Sequence, residues 1–349
     1  KYGKMISQDE IKELKEHLQR AQHPLFLFDN DLDGLVSFLL LRREIGRGRG
    51  VAIKTYPELD EGYIRKVHEF NPDYLFILDK PIVSDGFIKS VEELNIPIVW
   101  IDHHEVNFKE HKGIYYFNPI LNDGNNEPVS YICYSIANRK EDIWLAIIGC
   151  ISDGFLPDFV PEFKERFPEL WSDVNVAFDA LYNTEIGRLA RILSFALKDR
   201  TSNVVRMLKF LIKAKSPHEI LDETNKETNI LKRFREVDSK YQKLLEKVGK
   251  FKGKGKLIFF QYGGELSLSA DISNELYYRN QDKVIIVAYL KGTKANVSIR
   301  GKIDVRKLTV EAIKDIPDAT GGGHRHATGA QVPIEDLPKF KENIMRAVK

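Results

Sequence analysis

Residues 24–34 read PLFLFDNDLDG: the four apolar residues after the proline run straight into three aspartates at alternate positions. The apolar run is too short for a helix and reads as a buried strand. The residues after it, Leu35, Val36, Phe38, Leu39 and Leu40, read as a helix that GRGRG at 46–50 ends. A strand that breaks into acids and then enters a helix is the first unit of an α/β fold.

Outward from this unit the pattern repeats. VAIKTY (51–56), YLFILD (74–79), IPIVWID (96–102) and IYYFNP (114–119) read as strands, with helices over 60–70 and 85–94 between them. Further helices are expected over 129–137 and 141–151, and an amphipathic one precedes the first strand at 9–22. The expected fold is a mostly parallel sheet. Three strands end in aspartate: Asp29, Asp79 and Asp102. Ligands of open α/β sheets bind beyond the carboxyl ends of the strands, so three acids there point to one shared site.

The acids and their neighbours set the chemistry. Asp29, Asp31 and Asp33 begin like an EF-hand loop, but its twelfth position, which needs a bidentate glutamate, is Leu40, and a strand rather than a helix precedes it. Carboxylates alternating on the turn after a strand can instead reach two metal ions from one side, and Gly34 is expected to permit the tight turn into the helix. Asp79 can bridge two cations. Asp102, His103 and His104 follow a buried strand. Of two adjacent imidazoles one can bind metal while the other faces a substrate, and Asp102 can orient an imidazole. Asp153 in IIGCISDG ends an apolar helix, where an acid is electrostatically unfavourable unless a cation accounts for it. Far along the chain, Gly321, Gly322 and Gly323 expose backbone N–H groups suited to an anion. His324, Arg325 and His326 add donors, and Arg300 offers a bidentate phosphate contact.

The remaining features narrow the class. Two cysteines, Cys133 and Cys150, exclude a disulfide framework and are expected as buried free thiols. No apolar run is long enough to span a bilayer, and residues 1–15 read as a charged surface helix rather than a signal peptide, so a cytoplasmic protein with no membrane partner is expected. The net charge of +2 is too mild to indicate nucleic acid by itself, although 188–206 and 250–256 are basic. Helical spacing over 156–252 and a second α/β pattern from Lys256 suggest three parts: 1–155, a helical extension and linker at 156–252, and a smaller domain at 253–349. The aromatic runs at 115–117 and 259–262 read as core strands before they read as base-stacking platforms.

The D-x-D-x-D-G run, Asp79, the Asp-His-His run, Asp153 in S-D-G and the G-G-G-H run, in this order, resemble the DHH phosphoesterase superfamily that carries a C-terminal DHH-associated (DHHA1) domain. The first motif is similar to that of the archaeal RecJ-like single-strand exonuclease branch. The resemblance implies two divalent ions, Mn2+ with Mg2+ as the alternative. By analogy Asp31 and Asp79 hold one ion, and Asp33, Asp79, His103 and Asp153 the other. His104, Asp102 and Asp29 take catalytic roles, and Gly321, Gly322, Gly323, His324 and Arg300 grip the phosphate. Many members have a histidine where this chain has Leu27, so Asp29 is the candidate replacement ligand.

The implied activity is hydrolysis of single-stranded DNA or RNA from an end, 3′ to 5′, in repair or replication. A phosphodiesterase for short oligoribonucleotides or cyclic dinucleotides is the first alternative. A catalytically weak replisome scaffold, similar to the superfamily's replicative-helicase cofactors, is the second. A DNA helicase or replisome partner and a homo-oligomer are compatible with the resemblance.

Overall fold

The computed structural model describes residues 6–55, 58–105, 111–122, 127–224, 229–250 and 255–348. The chain divides into two compact units, 1–235 and 236–349. Most of the basic stretch at 250–256 lies outside the described residues.

In the first unit five strands form an all-parallel sheet: β1 (Leu25–Asp29), β2 (Arg49–Ile53), β4 (Leu75–Leu78), β6 (Ile98–Ile101) and β7 (Ile114–Phe117), in the order β2-β1-β4-β6-β7. Two short strands, β3 (Glu58–Leu59) and β5 (Ile82–Val83), pair separately. The chain leaves β1 toward β2 on one side and returns to β4 on the other. The carboxyl ends of β1 and β4 therefore flank the topological switch point, where open α/β sheets form their ligand crevice.

Period-two alternation along the strands builds a core on each face. Phe26, Phe28, Phe76, Leu78, Val99 and Ile101 share one cluster with α1 (Gln8–Arg20), α2 (Leu32–Ile45), α5 (Val129–Ala137) and α6 (Ile143–Ser152). Leu25, Leu27, Leu75, Ile77, Ile98 and Trp100 share the other with α3 (Ile64–Phe70) and α4 (Asp85–Glu93). The expected helix over 60–70 opens with a 3-10 turn at Glu61–Tyr63, capped by Asp60. Helix α2 lies between the sheet and the later helices, and Leu35, Val36, Leu39 and Leu40 are buried all round it. The helical stretch after residue 156 packs into this same first core: α7 (Val160–Arg166), α8 (Ala177–Asn183), α9 (Glu185–Leu197), α10 (Thr201–Leu211) and the short α11 (His218–Leu221) all contribute to it. Both cysteines are buried free thiols. No described helix is long and apolar enough to cross a membrane.

Helix α12 (Ile230–Lys250) crosses the boundary in sequence. The second unit is a mixed sheet of β8 (Leu257–Gly263), β9 (Val284–Lys291), β10 (Lys294–Arg300), β11 (Thr320–His324) and β12 (Ala327–Pro333), in the order β11-β12-β10-β9-β8. Only β8 and β9 pair in parallel. Helix α13 (Ser269–Arg279) packs on β9 and β10, while α14 (Val305–Ile313) and α15 (Leu337–Ala347) close a separate core around Val297, Ile299, Leu308 and Phe340.

Candidate metal centre

The first motif spans a strand end, a cap and a helical turn. Asp29 closes β1, Asp31 is the N-cap of α2 with its carboxylate accepting from Gly34 N at 3.0 Å, and Asp33 sits in the first helical turn. The tight-turn role expected for Gly34 is corrected: it lies within α2 with no positive φ. A Cβ there would stand 2.5 Å from the Asp29 carbonyl oxygen. Glycine is required because the helix start meets the strand end almost backbone to backbone.

Asp33 does more than its spacing suggests. Its Oδ2 accepts from Val129 N and its Oδ1 from Ser130 N, each at 2.8 Å, so this buried carboxylate caps the N-terminus of α5, where Pro128 has no capping side chain. Each oxygen keeps a second lone pair for another partner.

Asp79 follows β4 with φ +59, the left-handed region that a residue with a Cβ occupies at some cost and that clusters at functional sites. Its amide still pairs with Ile101 O at 2.9 Å, so the strand ladder holds the backbone while the chain turns away. Its Oδ1 is buried, accepts no hydrogen bond among the described residues, and lies 3.3 Å from His103 Nε2. His103 Nε2 is also 3.7 Å from Asp153 Oδ2. Asp153 is the C-cap of α6, whose Gly149 lets it pack on α5: a Cβ there would meet Ser130 Oγ at 2.5 Å.

Asp102, fully buried at the end of β6, accepts from two sides. His104 Nδ1 lies 2.7 Å from its Oδ1, and Tyr116 donates its hydroxyl to Oδ2 at 3.2 Å. Asn118 braces this pair by donating to both Tyr116 Oη and the His104 carbonyl, each at 2.9 Å.

The ligand atoms converge. Within the first unit, Asp33–Asp79–His103, Asp29–Asp31–Asp79 and Asp79–Asp102–His104 each place one donor atom per residue within 4.8 Å of the others, and Asp79 is common to all three. Crowding shows in the proton affinities. Desolvation, with repulsion from Asp29 and Asp33, pushes Asp31 up to about 7, although its side chain opens to solvent. Desolvation pushes Asp33 up to about 6, against the pull of His103. Asp79 is pushed well above the ordinary carboxylate range, by burial first and by Asp31 and Asp33 next. Carboxylates crowded together with no hydrogen bond between them are a donor set suited to a cation, and hard oxygen donors with one imidazole suit Mn2+ or Mg2+. The residues therefore fit a divalent-metal centre. His104 behaves differently: burial would lower it, but the Asp102 carboxylate outweighs that and lifts it to about 9.

One group was not foreseen. Lys80 is fully buried, and its ammonium donates to Asp29 Oδ1 at 3.0 Å and to Thr55 O at 2.7 Å. The signal was there in the Asp79-Lys80 pair, since a lysine directly after a buried strand and an acid has no apolar role. Leu27, where a histidine ligand was missed, is buried in the core on the α3/α4 face.

In the second unit the glycine triplet is strand β11 at the sheet edge, with Gly321, Gly322 and Gly323 paired to Ala330, Gly329 and Thr328. Among the described residues β11 is an edge strand, and such a strand leaves one row of backbone amides without a ladder partner. Gly323 has φ +132, and a Cβ there would stand 2.8 Å from Ala327 O. The Arg300 side chain donates to Asn274 Oδ1 at 2.6 Å and to the Ile299 and Thr328 carbonyls. The aromatic runs divide. Phe117, Phe260 and Tyr262 are buried, whereas Tyr115 is 40% exposed on edge strand β7, its ring 4.1 Å from that of His17.

Residues 256–349 match the family model of the DHHA1 domain. No curated protein matches the chain. Among solved structures it is similar to RecJ of Thermus thermophilus in complex with Mn2+, at 14% identity and TM-score 0.67, over 97% of this chain and 54% of that one. It thus spans about half the length of the Thermus protein. It is also similar to an exonuclease RecJ bound to manganese (16%, TM-score 0.64, 97% and 93% of the two chains) and to CDC45 of Entamoeba histolytica (11%, TM-score 0.56, 97% and 98%). At such identities the likeness is one of fold. The chain therefore carries a DHHA1 domain at residues 256–349 and shares its fold with these proteins.

Proposed function

We propose that this chain is a metal-dependent phosphodiesterase that removes nucleotides from the 3′ end of single-stranded DNA or RNA during repair or replication. The observation that carries the reading is the place of Asp79, whose carboxylate belongs to each of the three ligand groups that lie within the first unit among the described residues, and stands at the switch point of the sheet. Asp31 and Asp79, with Asp29 beside them, would hold one divalent ion, Mn2+ or Mg2+, and Asp33, Asp79, His103 and Asp153 the other. Ions bound there would supply Lewis acidity toward a phosphoryl oxygen and toward water.

The chain's own residues supply the rest. Asp102 fixes the His104 ring, and an imidazole lifted to about 9 stays cationic at neutral pH, ready to donate to a phosphate oxygen. The DHHA1 unit offers Arg300, Gly321, Gly322, Gly323 and His324 for phosphate. Arg206, Lys209 and Lys213 recur on one side of α10 and its end and line a shared depression, which suits the sequence-independent grip of a phosphodiester backbone. The likeness to CDC45 supports a replisome or helicase protein as partner.

The test uses 5′- and 3′-labelled single strands of DNA and RNA with Mn2+. Wild type is expected to shorten them stepwise from the 3′ end, and Asp79→Asn to lose about a hundredfold or more of the rate. Cleavage confined to dimers through pentamers would move the assignment to an oligonucleotide phosphodiesterase. Absent Mn2+ binding together with inactivity on every strand would leave a scaffold.

A further inference from the structure

We infer that Lys80 is a positioning residue of the metal centre: a fixed internal cation that neutralises Asp29 and sets how tightly the Asp29–Asp31–Asp79 side takes its ion. The inference rests on the metal-centre reading above and goes beyond it in making the two ion sites unequal.

The observations are geometric. Lysine is almost never fully buried unless paired, and Lys80 has no solvent exposure. Its Nζ is held between Asp29 Oδ1 and the Thr55 carbonyl, which follows β2, so the ammonium bridges the ends of three neighbouring strands. Asp29 also accepts from Asn30 N at 3.0 Å on the same oxygen. That oxygen is therefore committed, and the carboxylate as a whole is charge-compensated before any ion arrives.

Charge counting gives the consequence. With ions bound in place of protons, Asp29, Asp31, Asp33, Asp79 and Asp153 would bring five carboxylate charges to the cluster, while Asp102 is engaged by His104 at 2.7 Å. Two divalent ions supply four positive charges, and Lys80 supplies the fifth. The loaded centre is then neutral and can accept an anionic phosphodiester. The same ammonium repels an ion beside Asp29, so this side binds metal more weakly than the Asp33–Asp79–His103 side. Leu27 adds no ligand to offset that.

Lys80→Met is the test, read by Mn2+ calorimetry and by the electron paramagnetic resonance of the bound ions. Wild type is expected to take one Mn2+ tightly and a second at least about tenfold more weakly. Lys80→Met is expected to tighten the second site about tenfold, so that the spin-coupled signal of a Mn2+ pair appears at lower metal concentration. Its KM for single strands is expected to rise, because the loaded site is left with a negative charge. Lys80→Arg, which keeps the cation, is expected to behave as wild type.

A residue with a merely structural role would loosen metal and substrate together. Unchanged or weaker second-site binding in a folded Lys80→Met variant therefore overturns the inference, as do two equal sites in wild type. If Lys80→Met fails to fold, Asp29→Asn decides: with the ammonium uncompensated, the second ion is expected to be lost, and wild-type binding of it overturns the inference. Wild type that binds no Mn2+ at all defeats the metal-centre reading itself, an outcome distinct from each of these.

Discussion

His104 Nδ1 lies 2.7 Å from Asp102 Oδ1, and this contact makes a histidine at the mouth of the centre into a standing cation. The sign is that of a base gaining an acidic partner. Protonated His104 is favoured below its ordinary value near 6.5, and the charge is lost as pH rises through about 9. Activity that depends on the imidazolium is expected to fall through that upper window. In Asp102→Asn the fall is expected to shift toward neutrality, with a smaller loss at pH 6 than at pH 8. A pH–rate profile of both proteins, at saturating Mn2+, checks it.

The acids titrate in the same sense, at lower pH. Asp31 and Asp33 are raised from an ordinary value of 3.8 to about 7 and about 6. The folded state therefore holds protons that the unfolded chain has released, and metal-free protein is expected to lose stability as pH rises from about 4 through 7. Melting in chelator at pH 5 and pH 8 is expected to show a lower Tm at pH 8. Mn2+ is expected to restore it at pH 8 far more than at pH 5, because the ion replaces the protons and binds only the folded state.

How far the sequence carried this reading depends on range. Asp29, Asp79 and Asp102 were legible because apolar runs of strand length announce their own ends, and the switch point turns three strand ends into one place. Lys80 stands out directly after a strand and an acid, but its meaning depends on Asp29, 51 residues away, and on the Thr55 carbonyl. The capping of α5 by Asp33 was hidden for the same reason, since Val129 and Ser130 lie 96 and 97 residues downstream. Nothing in the glycine triplet announces a strand, because glycines carry no side-chain periodicity. Its strand character comes from the ladder that β12 offers.

Gly34 is where local backbone packing and the metal centre meet. An alanine Cβ there would stand 2.5 Å from Asp29 O and 2.8 Å from Asp29 N, both backbone atoms that cannot swing aside. Gly34→Ala is expected to push α2 off the end of β1, costing about 2–3 kcal/mol, as overpacking does. The same shift would move Asp31 and Asp33 relative to Asp79. Chemical denaturation should report the first effect and Mn2+ calorimetry the second, with affinity falling even where the protein stays folded.

Asp33 separates two losses that a single alanine substitution would merge. Both of its oxygens serve α5 amides, so Asp33→Ala removes a proposed metal ligand and also uncaps the helix. Asp33→Asn keeps one amide-accepting oxygen in place while removing the charge. Both variants are expected to lose Mn2+-dependent activity. Asp33→Ala is expected to be less stable than Asp33→Asn by about 1–2 kcal/mol, the usual worth of a capping group with buried amides left behind. Comparison must be made in chelator, because wild type is expected to gain stability from bound metal that neither variant would retain. Equal stability of the two in urea would mean that the α5 amides find another acceptor when Asp33 is gone, and the carboxylate would then serve the metal alone.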